Sequence, residues 1–136
     1  MPHRLSESSH FRRLVVGEIS SGQHLSGEYI RFCPTEAWQP HLNIYETDAA
    51  WLVCVDIAGL KPDAIHVDLQ DRTLIVRGTR TPPMPAGPQG DIGVHAMEID
   101  AGSFCREVDF ESAVDRSRIT ASYRDGLLWI TLPKSS

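Results

Sequence analysis

The 136-residue chain lacks any apolar run long enough to cross a bilayer. Its longest, Ala49 to Val55, has seven residues, against roughly 18–20 for a spanning helix. No apolar stretch follows a basic start at the N-terminus, so no secretory signal is read, and a cytoplasmic address without a membrane partner is expected. An excess of base is also missing. Residues 1–36 balance four Arg against four Glu, so the whole net charge of −5 falls on residues 37–136. Phosphate neutralisation supplies most nucleic-acid affinity, so nucleic acid is not expected as a partner. Cysteine is scarce. Cys33, Cys54 and Cys105 are an odd number without a C-x-x-C pair, and reduced thiols packed as small hydrophobes are expected.

Reactive constellations are lacking too. The six histidines (3, 10, 24, 41, 66, 95) never recur at i, i+2 or i+4, and no Cys/His zinc spacing occurs, so no metal is expected. Asp56, Asp68, Glu107 and Asp109 lie opposite the apolar parity of their strands, where carboxylates normally form a solvated face. Ser103 and Cys105 have no neighbouring base in a motif. Gly87-Pro88-Gln89-Gly90 lacks the Lys-Ser/Thr of a phosphate loop. No catalytic residue, cofactor or enzymatic activity is expected.

What the chain does have is a period of two, the signature of strands. Residues 1–37 are a weakly patterned arm broken by Ser and Gly, expected to be mobile or partly helical, with Phe11, Leu14, Val15, Val16 and Ile19 as its apolar cluster. From His41 onward the pattern tightens. Leu42 and Ile44, then Trp51, Val53, Val55 and Ile57, then Ile65, Val67 and Leu69, then Leu74 and Val76 each hold one parity. Thr47-Asp48, the Ala58–Asp63 segment and Asp71-Arg72 separate them. Residues 80–93 hold four prolines and three glycines, which no central strand tolerates. Val94 to Ile99 regains enough apolar character for one isolated strand. Phe104, Val108 and Phe110 follow, then Ile119, Ala121 and Tyr123, then the Asp125-Gly126 hairpin signal, then Leu128, Ile130 and Leu132. Such a meander predicts an all-β antiparallel sandwich over residues 38–134, with 135–136 as a short tail.

The residues that carry a resemblance are Trp38-x-Pro40-x-x-Asn43-Ile44-x-Glu46, Asp56-Ile57-Ala58-Gly59-Leu60, Leu74-x-Val76-x-Gly78 and Gly102-x-Phe104-x-Arg106. Ala121-x-Tyr123-x-Asp125-Gly126-Leu127-Leu128-x-Ile130-x-Leu132-Pro133-Lys134 completes the series. In this order they resemble the α-crystallin domain of small heat-shock proteins. That resemblance implies an immunoglobulin-like β-sandwich acting as an ATP-independent holdase for unfolded client proteins. It also implies a homodimer by strand exchange, or a higher oligomer. Val94, Ala96 and Glu98 of the loop strand would pair with Leu42, Ile44 and Glu46 of a second protomer. Arg106 shares the parity of the core residues beside it, and a buried guanidinium needs a partner, so it is expected to meet a carboxylate at this seam.

By the same resemblance, Val67, Leu69, Ile119, Ala121 and Tyr123 would line a partly covered groove for extended peptide segments. Phe11, Leu14, Val16 and Trp129 are the candidates for arm docking or client contact. The family's Ile/Val-x-Ile/Val tail has no counterpart in Lys134-Ser135-Ser136, which favours a dimer or small oligomer, with Leu14-Val15-Val16 as a possible substitute from the arm. A dedicated adaptor or co-chaperone module on the same sandwich is the competing reading.

Overall fold

The alternation becomes two packed sheets because each strand turns one apolar face inward. The computed structural model describes residues 16–17, 33, 38–87 and 90–135. Its strands are β1 (Val16–Gly17), β2 (Leu42–Glu46), β3 (Ala50–Asp56), β4 (Ile65–Gln70), β5 (Thr73–Arg80), β6 (Gly102–Asp109), β7 (Thr120–Arg124) and β8 (Leu127–Pro133). One sheet has the order β1-β4-β5-β6 and the other β2-β3-β8-β7. Only β1 lies parallel to its neighbour; the remaining named pairs are antiparallel. The all-β sandwich expected from the periodicity is the fold observed.

Between the sheets, Val53, Val55, Ile57, Leu128, Ile130 and Leu132 meet Val67, Leu69, Leu74, Val76, Phe104 and Val108. Burying side chains of this size from both faces stabilises by about 1.5–3 kcal/mol each. Trp38 and Trp51 close the two ends, their rings 5.4 Å from Phe104 and 5.2 Å from Phe110.

The hairpins explain the register. Asp125 and Gly126 both take positive φ, 54° and 79°, between the paired residues Arg124 and Leu127. Two left-handed residues in a two-residue loop match the twist of flanking strands. A side chain at Gly126 would also strike Ala58, whose Cβ lies 2.9 Å from where it would stand. Thr47 Oγ1 accepts from the amides of Ala49 and Ala50, at 3.2 and 3.0 Å, and so shapes the β2–β3 turn.

Three expectations are corrected. Residues 94–99 form no strand within the single chain, and all are exposed; an isolated apolar segment flanked by breakers has no home partner for its backbone groups. Cys33 and Cys105 are joined in a disulfide, with Cα atoms 5.5 Å apart, rather than standing as separate thiols; Cys54 alone is free. The residues form this pair because Cys105 points away from the core cluster, onto the outer face of its sheet, where residue 33 reaches it. Of the apolar cluster in the arm, Val16 is described, and it lies in a strand rather than a helix; Phe11, Leu14, Val15 and Ile19 lie outside the described residues.

Candidate functional site

Strand β2 is the edge of its sheet. Its backbone pairs with β3 from Leu42↔Val55 to Glu46↔Trp51, and among the described strands none pairs with its other side. An open edge presents a row of unpaired amides and carbonyls to another chain. Ile44 has the inward parity of Val53 yet is 45% exposed, and Tyr45 is 47% exposed. Leu42 alone in this strand is half-buried. Glu46 is paired with Lys134, whose Nζ lies 2.5 Å from its Oε2.

The second part is the long β5–β6 connection. Arg80 fixes its far end, donating from Nε and Nη2 to the Asp100 carbonyl at 2.9 and 2.6 Å, while its guanidinium sits 4.0 Å over the Trp38 ring. Ile92, Val94, Met97 and Ile99 then stand in solvent, 46–67% exposed. Ala96 and Glu98 are exposed as well. Arg80 escaped the sequence reading, and Met97 and Ile99 lay within the expected Val94–Ile99 strand but off the parity chosen for the seam. The period-two rule chose one parity for a strand that the single chain does not form, and nothing local marks Arg80 as a clamp.

Arg106 is half-buried, and its Nη1 donates to the Pro40 carbonyl at 2.6 Å. The carboxylate expected for Arg106 belongs to a seam between two copies; within the single chain its partner is this carbonyl. The lead-in to an edge strand leaves the Pro40 carbonyl without a ladder partner, and the guanidinium satisfies it.

The third part is the seam where β4 of one sheet faces β7 of the other. The structure brings the five predicted groove residues together, but Val67, Leu69, Ala121 and Tyr123 are buried and belong to the core. Only Ile119 is half-buried. The expectation was of partly covered side chains; four of the five are instead covered in the single chain, because the two sheets close against each other here. Both ends of the seam are tied. Arg116 Nη1 donates to the Leu69 carbonyl at 2.6 Å. At the other end the Tyr123 hydroxyl donates to the Ile57 carbonyl at 2.8 Å and accepts from the Leu60 amide at 3.2 Å. Burial, chiefly, pushes the Tyr123 phenol above its ordinary pKa. The edge of β4 is occupied by β1, with Val16 opposite Val67 and Gly17 opposite Asp68.

Trp129 lies on the outer face of the second sheet, 39% exposed, stacked on Tyr45 with ring centroids 6.1 Å apart. The contact is with β2. Among the described residues no group of three or more His, Cys, Asp or Glu is arranged to hold a metal. No described helix is long and apolar enough to cross a membrane.

A family model described as the Hsp20/alpha crystallin family matches residues 43–136. Among curated proteins, the chain is 28% identical over 95 residues to the small heat shock protein C4 of Rickettsia felis, covering 70% of this chain and 56% of that protein. It is 32% identical over 88 residues to the 19.0 kDa class II heat shock protein of Oryza sativa subsp. japonica, covering 62% and 50%. The chain thus spans about half the length of these curated relatives. Among solved structures it is similar to a small heat-shock protein from Xylella fastidiosa, with TM-score 0.62 and 28% identity over 74% of this chain and 89% of that one. The hspA of Xanthomonas axonopodis gives TM-score 0.60 and 27% identity over 71% and 94%.

Proposed function

The chain belongs to the Hsp20/alpha crystallin family, and from that premise we propose that it is an ATP-independent holdase that binds partly unfolded proteins and prevents their aggregation. Its relatives are named as heat shock proteins, and the family is one of chaperones rather than enzymes. The observation that carries the reading is the β2 edge, unpaired among the described strands, together with a β5–β6 loop whose described apolar side chains stand in water. An edge strand recognises main chain rather than sequence, so it accepts many extended segments. Ordering a flexible client opposes much of the gain from burial, which keeps capture reversible.

Between two copies, the same two features support a homodimer in which residues 94–99 of one protomer lie along Leu42–Glu46 of the other, and a client segment competes for that edge. Ile44 and Val94, each exposed in the single chain, would then be covered. Arg80, at the end of β5, holds Asp100 at the far end of the loop, which ties the two ends of the connection together. Higher assembly would build on this dimer, and Ile119 with the β4 edge is the second place for an extended segment once β1 is displaced. Trp129 and Tyr45 offer an aromatic contact surface for the client or the arm.

The experiment is heat-induced light scattering of a labile enzyme in the absence of nucleotide. Scattering falls as this protein is added towards equimolar subunits. Undiminished scattering at molar excess would reject the holdase reading and favour a dedicated adaptor.

A further inference from the structure

Strand β6 is the other edge of the first sheet, and Trp38 and Cys33 both contact it. The Trp38 amide donates to the Ser103 carbonyl at 3.4 Å and its indole N–H to the Gly102 carbonyl at 3.0 Å. Two residues beyond Ser103, Cys105 is bonded to Cys33. Cys105 and Ile75 both point away from the core cluster, and both are nonetheless buried, at 4% and 1% exposure. The disulfide is a covalent cross-link between residue 33 and strand β6.

We propose that Cys33–Cys105 is a reducible switch: the disulfide fixes residue 33 on strand β6, and a dithiol reductant releases it, leaving Trp38 as the hold on this edge. The proposal goes beyond the holdase reading and is tested without a client.

Three features support exchange at this bond. Cys33 is half-buried while Cys105 is buried, so Cys33 is the more exposed partner and the end at which a reductant attacks. Arg77 is the direct cross-strand partner of Cys105; it is paired with Asp68 at 3.6 Å, and its cation lies on the face of the sheet where the Cys105 thiolate forms. Cys54 lies on the other sheet, is buried, and has its thiol pushed up by desolvation and then by Asp56, so it does not compete.

The step balances as ordinary thiol–disulfide exchange. A thiolate of the dithiol attacks Cys33 Sγ, the Sγ–Sγ bond breaks, and Cys105 leaves as a thiolate that takes a proton. The reductant's second thiol then attacks its own first sulfur and expels the Cys33 thiolate, which is protonated in turn. Two electrons pass to the protein and the dithiol becomes a disulfide. A low-molecular-weight disulfide reverses the reaction.

The test uses the full chain, equilibrated with oxidised glutathione or with dithiothreitol, alkylated under denaturing quench and weighed intact. One alkylated thiol is expected in the oxidised protein and three in the reduced. Hydrogen exchange in peptides covering residue 33 and residues 102–109 should rise roughly tenfold on reduction, as for a locally released segment, while β3 and β8 stay protected. Cys33→Ser, which keeps two thiols, should show the hydrogen-exchange pattern of the reduced protein under both conditions. Three alkylated thiols after oxidation, a disulfide joining two copies on a non-reducing gel, or unchanged exchange on β6 after reduction would each overturn the proposal.

Discussion

Tyr123→Phe removes a single oxygen and tests how β7 is tied to the turn that leads into β4. The hydroxyl makes two hydrogen bonds, one given to the Ile57 carbonyl and one taken from the Leu60 amide. Ile57 and Leu60 are both buried, so water cannot readily replace it. Two buried bonds at about 1 kcal/mol each, with some penalty for the groups left unpaired, give a loss of about 2 kcal/mol. Urea denaturation at fixed protein concentration is the assay, because self-association would otherwise shift apparent stability. With an m-value of about 2 kcal/mol/M, the midpoint should fall by about 1 M.

The pH dependence supplies a second readout. Burial holds the phenol above its ordinary pKa in the folded chain. The folded state therefore keeps the proton that the unfolded chain releases above about pH 10. That stabilisation is complete below the unfolded pKa and is lost as pH rises through the folded one. The gap between wild type and Tyr123→Phe should be widest at neutral pH and shrink above about pH 10. A midpoint shift below about 0.2 M, or a gap independent of pH, would refute the two-bond account.

Further perturbations test the edges and the core. Deleting residues 82–97 should leave a folded domain that no longer self-associates in sedimentation, whereas an unchanged dimer would count against strand exchange. Gly78→Ala places a Cβ 2.8 Å from Phe104 Cζ and against the Ala64 carbonyl, and overpacking should cost about 1–3 kcal/mol in urea titration. Arg106→Ala strips the Pro40 carbonyl of its donor and should lower stability by about 1–2 kcal/mol; an unaltered melting curve would mean that water replaces the guanidinium.

Much of the fold is legible in the residues themselves. Inward parity marks Val53, Val55, Val67, Leu69, Leu74, Val76, Leu128 and Ile130, and all are buried. Asp125-Gly126 reads as a hairpin because its backbone needs two left-handed residues. The candidate site is less legible, because exposure depends on what the rest of the chain covers. Periodicity alone cannot say that the seam between β4 and β7 closes over Tyr123, nor that Ile44 stays open on an edge. A pairing such as Cys33 with Cys105, 72 residues apart, leaves no local mark, since an odd cysteine count with no repeated spacing is compatible with every pairing. The absence of a strand at residues 94–99 follows the same logic: its propensity is present, but in one chain its partner is not.

The claim on which the account depends is that this sandwich holds unfolding polypeptides in solution. A labile enzyme heated with the protein, without nucleotide, and then passed through size exclusion with light-scattering detection decides it. A soluble peak containing both chains, heavier than either alone, is the predicted result. Recovery of the protein at its original mass, with the enzyme in the pellet, would contradict it.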